Sequence, residues 1–117
     1  MGRVRSIEGR WRYIVFQIMS DKELEYEDVA RDLWSVLLKL FGEVGVSFMN
    51  LKVIDYDKRS GFGILRCTHK TVDIVHAGVS MISEIRGTPI LTDIKKVTGS
   101  IKKARETVEK LKIQVDR

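Results

Sequence analysis

Asp57-Lys-Arg-Ser-Gly-Phe-Gly-Ile-Leu-Arg-Cys-Thr68 is the stretch on which the reading of the fold turns. Asp57 to Gly61 has the composition of a chain reversal, and Phe62 to Thr68 is an apolar, strand-forming run. Ser47 to Tyr56 reads as a strand in front of the turn, so the two runs predict a β-hairpin. Downstream, Thr68 is placed to cap a helix from His69 to Arg86, with Val72, Val75, Val79 and Ile82 inward and with Gly87 and Pro89 ending it. A strand over about 90–97 follows. Gly99 and Ser100 then open a last helix in which Ile101, Ala104, Val108 and Leu111 recur at helical spacing. Upstream, the β-branched and aromatic run from Arg12 to Ile18 predicts a first strand with Ile14, Phe16 and Ile18 on one face. The acids of Asp21 to Asp28 suit the positive end of a helix, whose apolar positions run from Tyr26 through Val29, Ala30, Leu33, Leu37 and Leu40 to Phe41, with Gly42 as its stop.

The element order is therefore β-α-β-β-α-β with an additional C-terminal helix. That order predicts an α+β, ferredoxin-like sandwich, similar in layout to an RNA-recognition motif, with two helices on one face of a four-stranded antiparallel sheet. The other face is left for a ligand, a partner or the extra helix. One such domain over 11–117, preceded by a basic arm over 1–10, accounts for all 117 residues.

Composition narrows the function. Apolar residues make up 44% of the chain, enough for a hydrophobic core. No apolar segment nears the roughly 20 residues of a membrane-spanning helix, so no membrane partner is expected. The lone Cys67 has no internal disulfide partner, and no leader pattern opens the sequence, so a reducing, cytoplasmic location is expected. Few amides beside many Lys, Arg and Glu is the bias of heat-resistant proteins. The net charge of +5 is uneven: Arg3, Arg5, Arg10 and Arg12 stand against Glu8 at the start, and 94–117 hold eight bases against three acids, while the middle is net acidic. Segregated positive charge attracts polyanions such as nucleic acid.

Three groups carry candidate chemistry. Gly61-Phe-Gly-Ile64 partly matches the glycine–aromatic run with which RNA-recognition motifs stack bases, although Ile64 replaces the second aromatic; alternatively Gly61 completes the turn and Phe62 packs. Trp11 and Tyr13, alternating with Arg10 and Arg12, offer either base stacking or packing across the sheet. Lys95, Lys96, Ser100, Lys102, Lys103 and Arg105 flank the junction at Gly99, where a helix N-terminus presents N–H groups to an anion; these six with Arg10 and Arg12 are the expected RNA contacts. Cys67, His69, Asp73 and His76 lack the paired spacing of a zinc site, so no metal is assigned to the protein. Asp55 and Asp57 would serve a metal-dependent nuclease only as a lesser alternative to turn formation, and no catalytic residue is assigned. On the first helix Trp34 and Leu38 widen the apolar face beyond the core stripe, as a partner interface does; alternatively the terminal helix or the basic arm covers it.

In its order of segments the chain resembles component two of archaeal and eukaryotic ribonuclease P. The resemblance rests on Arg12-Tyr-Ile-Val-Phe16, on Gly61-Phe-Gly-Ile-Leu-Arg-Cys-Thr-His69 with Asp73 and Val75, on Ile85-Arg-Gly-Thr-Pro89 and above all on Lys96-Val-Thr-Gly-Ser-Ile-Lys-Lys-Ala104. It implies a subunit of the ribonucleoprotein that removes 5′ leaders from precursor tRNA, in which the RNA is the catalyst and holds the Mg²⁺. It further implies a complex with another ribonuclease P protein of barrel-type fold, and a homodimer of such heterodimers. A stand-alone RNA-binding domain is the alternative.

Overall fold

The computed structural model describes residues 10–115; the basic arm apart from Arg10, and the last two residues, lie outside them. Strand β1 (Trp11–Met19) leads to helix α1 (Tyr26–Ser47), then β2 (Lys52–Tyr56), β3 (Phe62–Thr68), a 3-10 turn (His69–Thr71) and α2 (Val72–Ser80). A small hairpin of β4 (Glu84–Ile85) and β5 (Thr88–Pro89) precedes β6 (Leu91–Thr98) and α3 (Ile101–Val115). The four long strands form one antiparallel sheet in the order β2-β3-β1-β6, the expected ferredoxin-like arrangement with an extra helix.

Alternation along β1 divides the molecule. Ile14, Phe16 and Ile18 face α1 and α2, joining Val29, Leu33, Leu37, Val75 and Val79 in the main core. Each such buried side chain contributes roughly 2 kcal/mol relative to leaving it in water. Tyr13 and Val15 face the other way, where Ile101, Ala104, Val108 and Leu111 of α3 close over them and over Ile64. The sheet face left open by the sequence reading is thus covered by the terminal helix.

The glycines of the Gly61-Phe-Gly63 run answer to packing. Gly61 has φ +79, and a Cβ there would sit 2.0 Å from the Ile18 carbonyl oxygen. Gly63 pairs with Phe16, whose ring lies across it; a Cβ on Gly63 would be 2.4 Å from that ring.

Three boundaries differ from expectation. Gly42, with φ 74, breaks the helical path but does not end it, because a further turn carries Val46 into the core; the expected strand from Ser47 begins only at Lys52. Helix α2 ends at Ser80 rather than Arg86. Arg86 and Gly87, with φ 52 and 78, make the reversal of the β4–β5 hairpin, which buries Ile85 and Thr88. Thr68 makes no side-chain cap bond, since its hydroxyl donates to the Phe48 carbonyl at 2.8 Å and also meets the Thr71 hydroxyl. Among the described residues no helix is long and apolar enough to cross a membrane.

Candidate nucleic-acid interface

Antiparallel pairing brings the start of β1 beside the last residues of its two neighbours: Trp11 opposes Thr68 of β3, and Tyr13 opposes Thr98 of β6. Arg10 and Arg12 therefore stand where β6 runs into α3. The Arg12 guanidinium lies 3.5 Å from where a Gly99 Cβ would be, and its Nη1 donates to the Trp11 carbonyl at 2.8 Å. The Arg10 carbonyl accepts from the His69 N–H, which ties that residue to the end of β3. Ser100 caps α3: its Oγ accepts from the Lys103 N–H at 3.2 Å, while its own N–H donates to the Thr98 hydroxyl at 3.3 Å. Lys102 and Lys103 follow, exposed, in a first turn that contains no acid. Cations at the positive end of a helix dipole cost a few tenths of a kcal/mol each, so the unliganded arrangement favours an anion. The first-turn N–H groups of Ile101 and Lys102 have no carbonyl of their own helix to reach and point the same way.

The remaining expected contacts are placed differently. Ile94 opposes Phe16 and Lys96 opposes Val15, so Lys95 is the extra residue of a β-bulge. Its ammonium pairs with Asp93 at 2.8 Å. Lys96 is exposed on the edge strand. Arg105 is engaged by Asp55 at 2.8 and 3.5 Å, a bond that raises the guanidinium pKa further. Five of the eight expected contacts, Arg10, Arg12, Ser100, Lys102 and Lys103, thus share one end of the sheet, while Lys95 and Arg105 are held by carboxylates.

Asp55 and Asp57 are both occupied. Besides the Arg105 contact to Asp55, Asp57 accepts from the Ser60 hydroxyl at 2.6 Å and the Ser60 N–H at 3.2 Å, and Lys112 lies 3.7 Å away. The Ser60 bonds hold the Asp57 carboxyl below its usual pKa, the mark of a turn-forming aspartate. Among the described residues no three His, Cys, Asp or Glu side chains gather as a metal site. Cys67 is fully buried, and burial pushes its thiol up to about 11, so it is a poor nucleophile at neutral pH.

Of the aromatics expected to stack bases, Phe62 is internal and Trp11 and Tyr13 are partly covered. Phe62 is 2% exposed and Ile64 1%. Tyr13 packs under α3, and the Trp11 ring carries the Arg66 guanidinium 4.0 Å from its centre. The aromatic that does face solvent at this end is Phe48, 66% exposed at the close of α1, in a segment read from sequence as strand interior. Its placement depends on the extra helical turn after Gly42, which no local signal foretold. Of the expected partner-facing pair, Trp34 is 46% exposed and lines a groove of about 250 Å³ between α1 and β2, while Leu38 is half-buried against the main core.

The opposite end of the sheet is acidic. Asp21, Glu23, Glu25, Glu27 and Asp28 cluster where β1 passes into α1. Arg86 draws down the pKa of Asp28, and Lys58 pairs with Glu25 at 3.2 Å. Burial, with Asp57, Glu25 and Glu23 adding to it, pushes the Tyr56 hydroxyl up to about 12.

The profile of the Rpp14/Pop5 family matches residues 12–109. Proteins named ribonuclease P protein component 2 are similar over 86% of this chain. That of Methanococcus aeolicus is 37% identical over 101 residues and that of Methanocaldococcus jannaschii 35% identical over 100, each alignment covering 73% of the relative. That of Pyrococcus horikoshii is 29% identical over 100 residues and 83% of its length. A chain in a cryo-EM structure of yeast ribonuclease MRP shares the fold with a TM-score of 0.64 at 15% identity, over 92% of both chains.

Proposed function

The chain belongs to the Rpp14/Pop5 family, and we propose that it is a protein subunit of ribonuclease P, supporting the removal of 5′ leaders from precursor tRNA by binding the catalytic RNA. The observation that carries this reading is the gathering of Arg10, Arg12, Ser100, Lys102 and Lys103 around an acid-free helix start at one end of the sheet. Such a surface neutralises phosphates and recognises no particular base, which suits a protein that helps a structured RNA fold. In this reading catalysis and its Mg²⁺ belong to the RNA, and it is supported by the engagement of Asp55 with Arg105 and of Asp57 with Ser60. A second ribonuclease P protein of barrel-type fold is assigned to the groove beside Trp34, a reading supported by the exposure of that ring.

The test is cleavage of precursor tRNA by ribonuclease P RNA, reconstituted at low Mg²⁺ with and without this chain and its barrel-type partner. Cleavage is expected to rise when the chain is added, only in the presence of that RNA, and with a steep inverse dependence on salt. No stimulation, or cleavage by the chain unaided, sinks the assignment.

A further inference from the structure

At the basic end the chain has a second feature, which shares only Arg10 with the junction at Gly99. Arg10, Gly45, Phe48, His69, Lys70 and Ile74 are among the residues lining a cleft of about 490 Å³, inside the roughly 300–1,000 Å³ typical of small-ligand sites. Phe48 leaves 66% of its surface to water, yet its backbone is fixed. Its carbonyl accepts from the Thr68 hydroxyl at 2.8 Å, its N–H donates to the Gly45 carbonyl at 3.2 Å, and the next residue, Met49, is fully buried. An exposed ring on a rigid support loses little conformational entropy when something stacks on it.

Charge decides what that occupant is. The lining contains Arg10 and Lys70 and no carboxylate, and neither side chain makes an ion pair among the described residues. An apolar protein segment seated on Phe48 would strip water from both cations and return nothing to them. A nucleotide supplies a π-face for the ring and phosphate oxygens for the cations. Arg10 also precedes by two residues Arg12, whose guanidinium lies beside Gly99, so the cleft and the junction adjoin along the chain.

From this geometry we infer that Phe48 stacks an unpaired nucleobase of single-stranded RNA, with Arg10 and Lys70 holding the flanking phosphates. The inference rests on the RNA-binding reading above and adds a preference for an unpaired segment at a defined place.

The experiment measures binding of the full chain to a uridine decamer and to a short RNA duplex by fluorescence anisotropy, for the wild type, Phe48→Ala and Phe48→Trp. Phe48→Ala is expected to weaken decamer binding roughly tenfold while sparing the duplex, and Phe48→Trp to keep affinity and be quenched by the bound base. Arg10→Ala with Lys70→Ala is expected to flatten the salt dependence, which Phe48→Ala leaves alone. The Phe48 ring is mostly exposed, so both variants should fold as the wild type does. Decamer binding that ignores the ring overturns the inference, as does a Phe48-dependent self-association in sedimentation, which would make the cleft a contact between copies. Either result leaves stimulation of precursor tRNA cleavage standing, so the two readings fail separately.

Discussion

The two ends of the sheet hold opposite charges and treat them in opposite ways. At the acidic end several carboxylates are engaged within the chain: Asp28 pairs with Arg31 and Arg86, Glu25 with Lys58 and Asp57 with Lys112 while accepting from Ser60. Glu27, unpaired among the described residues, lies in the first turn of α1, where the helix dipole favours it. At the basic end Arg10, Lys70, Lys102 and Lys103 make no ion pair among the described residues, and two of them sit at the positive pole of a helix. Self-satisfied charge stabilises the fold modestly and asks for no partner. Charge left uncompensated beside a helix start is a standing demand for an anion. The difference teaches that sign alone does not mark the binding end; unpaired charge held against a helix pole of the same sign does.

The sharpest contrast between the ends lies in two glycines. Gly61 at the acidic end combines a positive φ with an Ile18 carbonyl oxygen 2.0 Å from any Cβ, so Gly61→Ala should destabilise by about 3 kcal/mol or more, read from the urea midpoint at unchanged slope. Charge reversal comes next. Lys102→Glu with Lys103→Glu should weaken RNA binding on the order of 100-fold at low salt, whereas Glu23→Lys with Glu27→Lys at the other end should change it by less than about threefold. Equal effects from both ends would break the comparison.

Smaller effects sharpen it. Asp57→Asn should cost roughly 1 kcal/mol near neutral pH by weakening the bonds from Ser60. Because the folded pKa of Asp57 is lowered, its contribution is present above the ordinary carboxyl pKa and is lost as pH falls through the folded value. The stability gap between variant and wild type should therefore close on acidification, as denaturant melts at several pH values would show. Gly99→Ala should be the mildest: the glycine has no positive φ, and a Cβ would meet only Arg12 at 3.5 Å. Stability should move by less than about 0.5 kcal/mol, while RNA affinity drops roughly threefold if a phosphate comes close to the backbone there.

Much of this was legible in the chain. Ile14, Phe16 and Ile18 fall on one face, the stripes on α2 and α3 pack inward, as does that on α1 apart from Tyr26 and Leu40, which stay exposed, and the turn at Asp57 to Gly61 stands where its residues predict. The glycine–aromatic run was ambiguous. Its glycines answer to Ile18 and Phe16, residues more than forty positions away, so local sequence could not separate base stacking from packing. Leu38 was read as surface because angular position on a helix does not reveal what packs beside it; in the fold it lies half-buried against the main core.

What the sequence determined by itself are the periodicities and therefore the elements and their order, since each follows from side chains a few residues apart. Tertiary structure alone decided the rest. The antiparallel register gathers Arg10, Arg12 and the start of α3 at one end, and a bulge turns Lys95 to Asp93. The extra turn after Gly42 leaves Phe48 in the open, and α3 closes the second face of the sheet. These are outcomes of chain reversal and long-range packing, in which residues distant in sequence compete for the same space, and no local pattern encodes the winner.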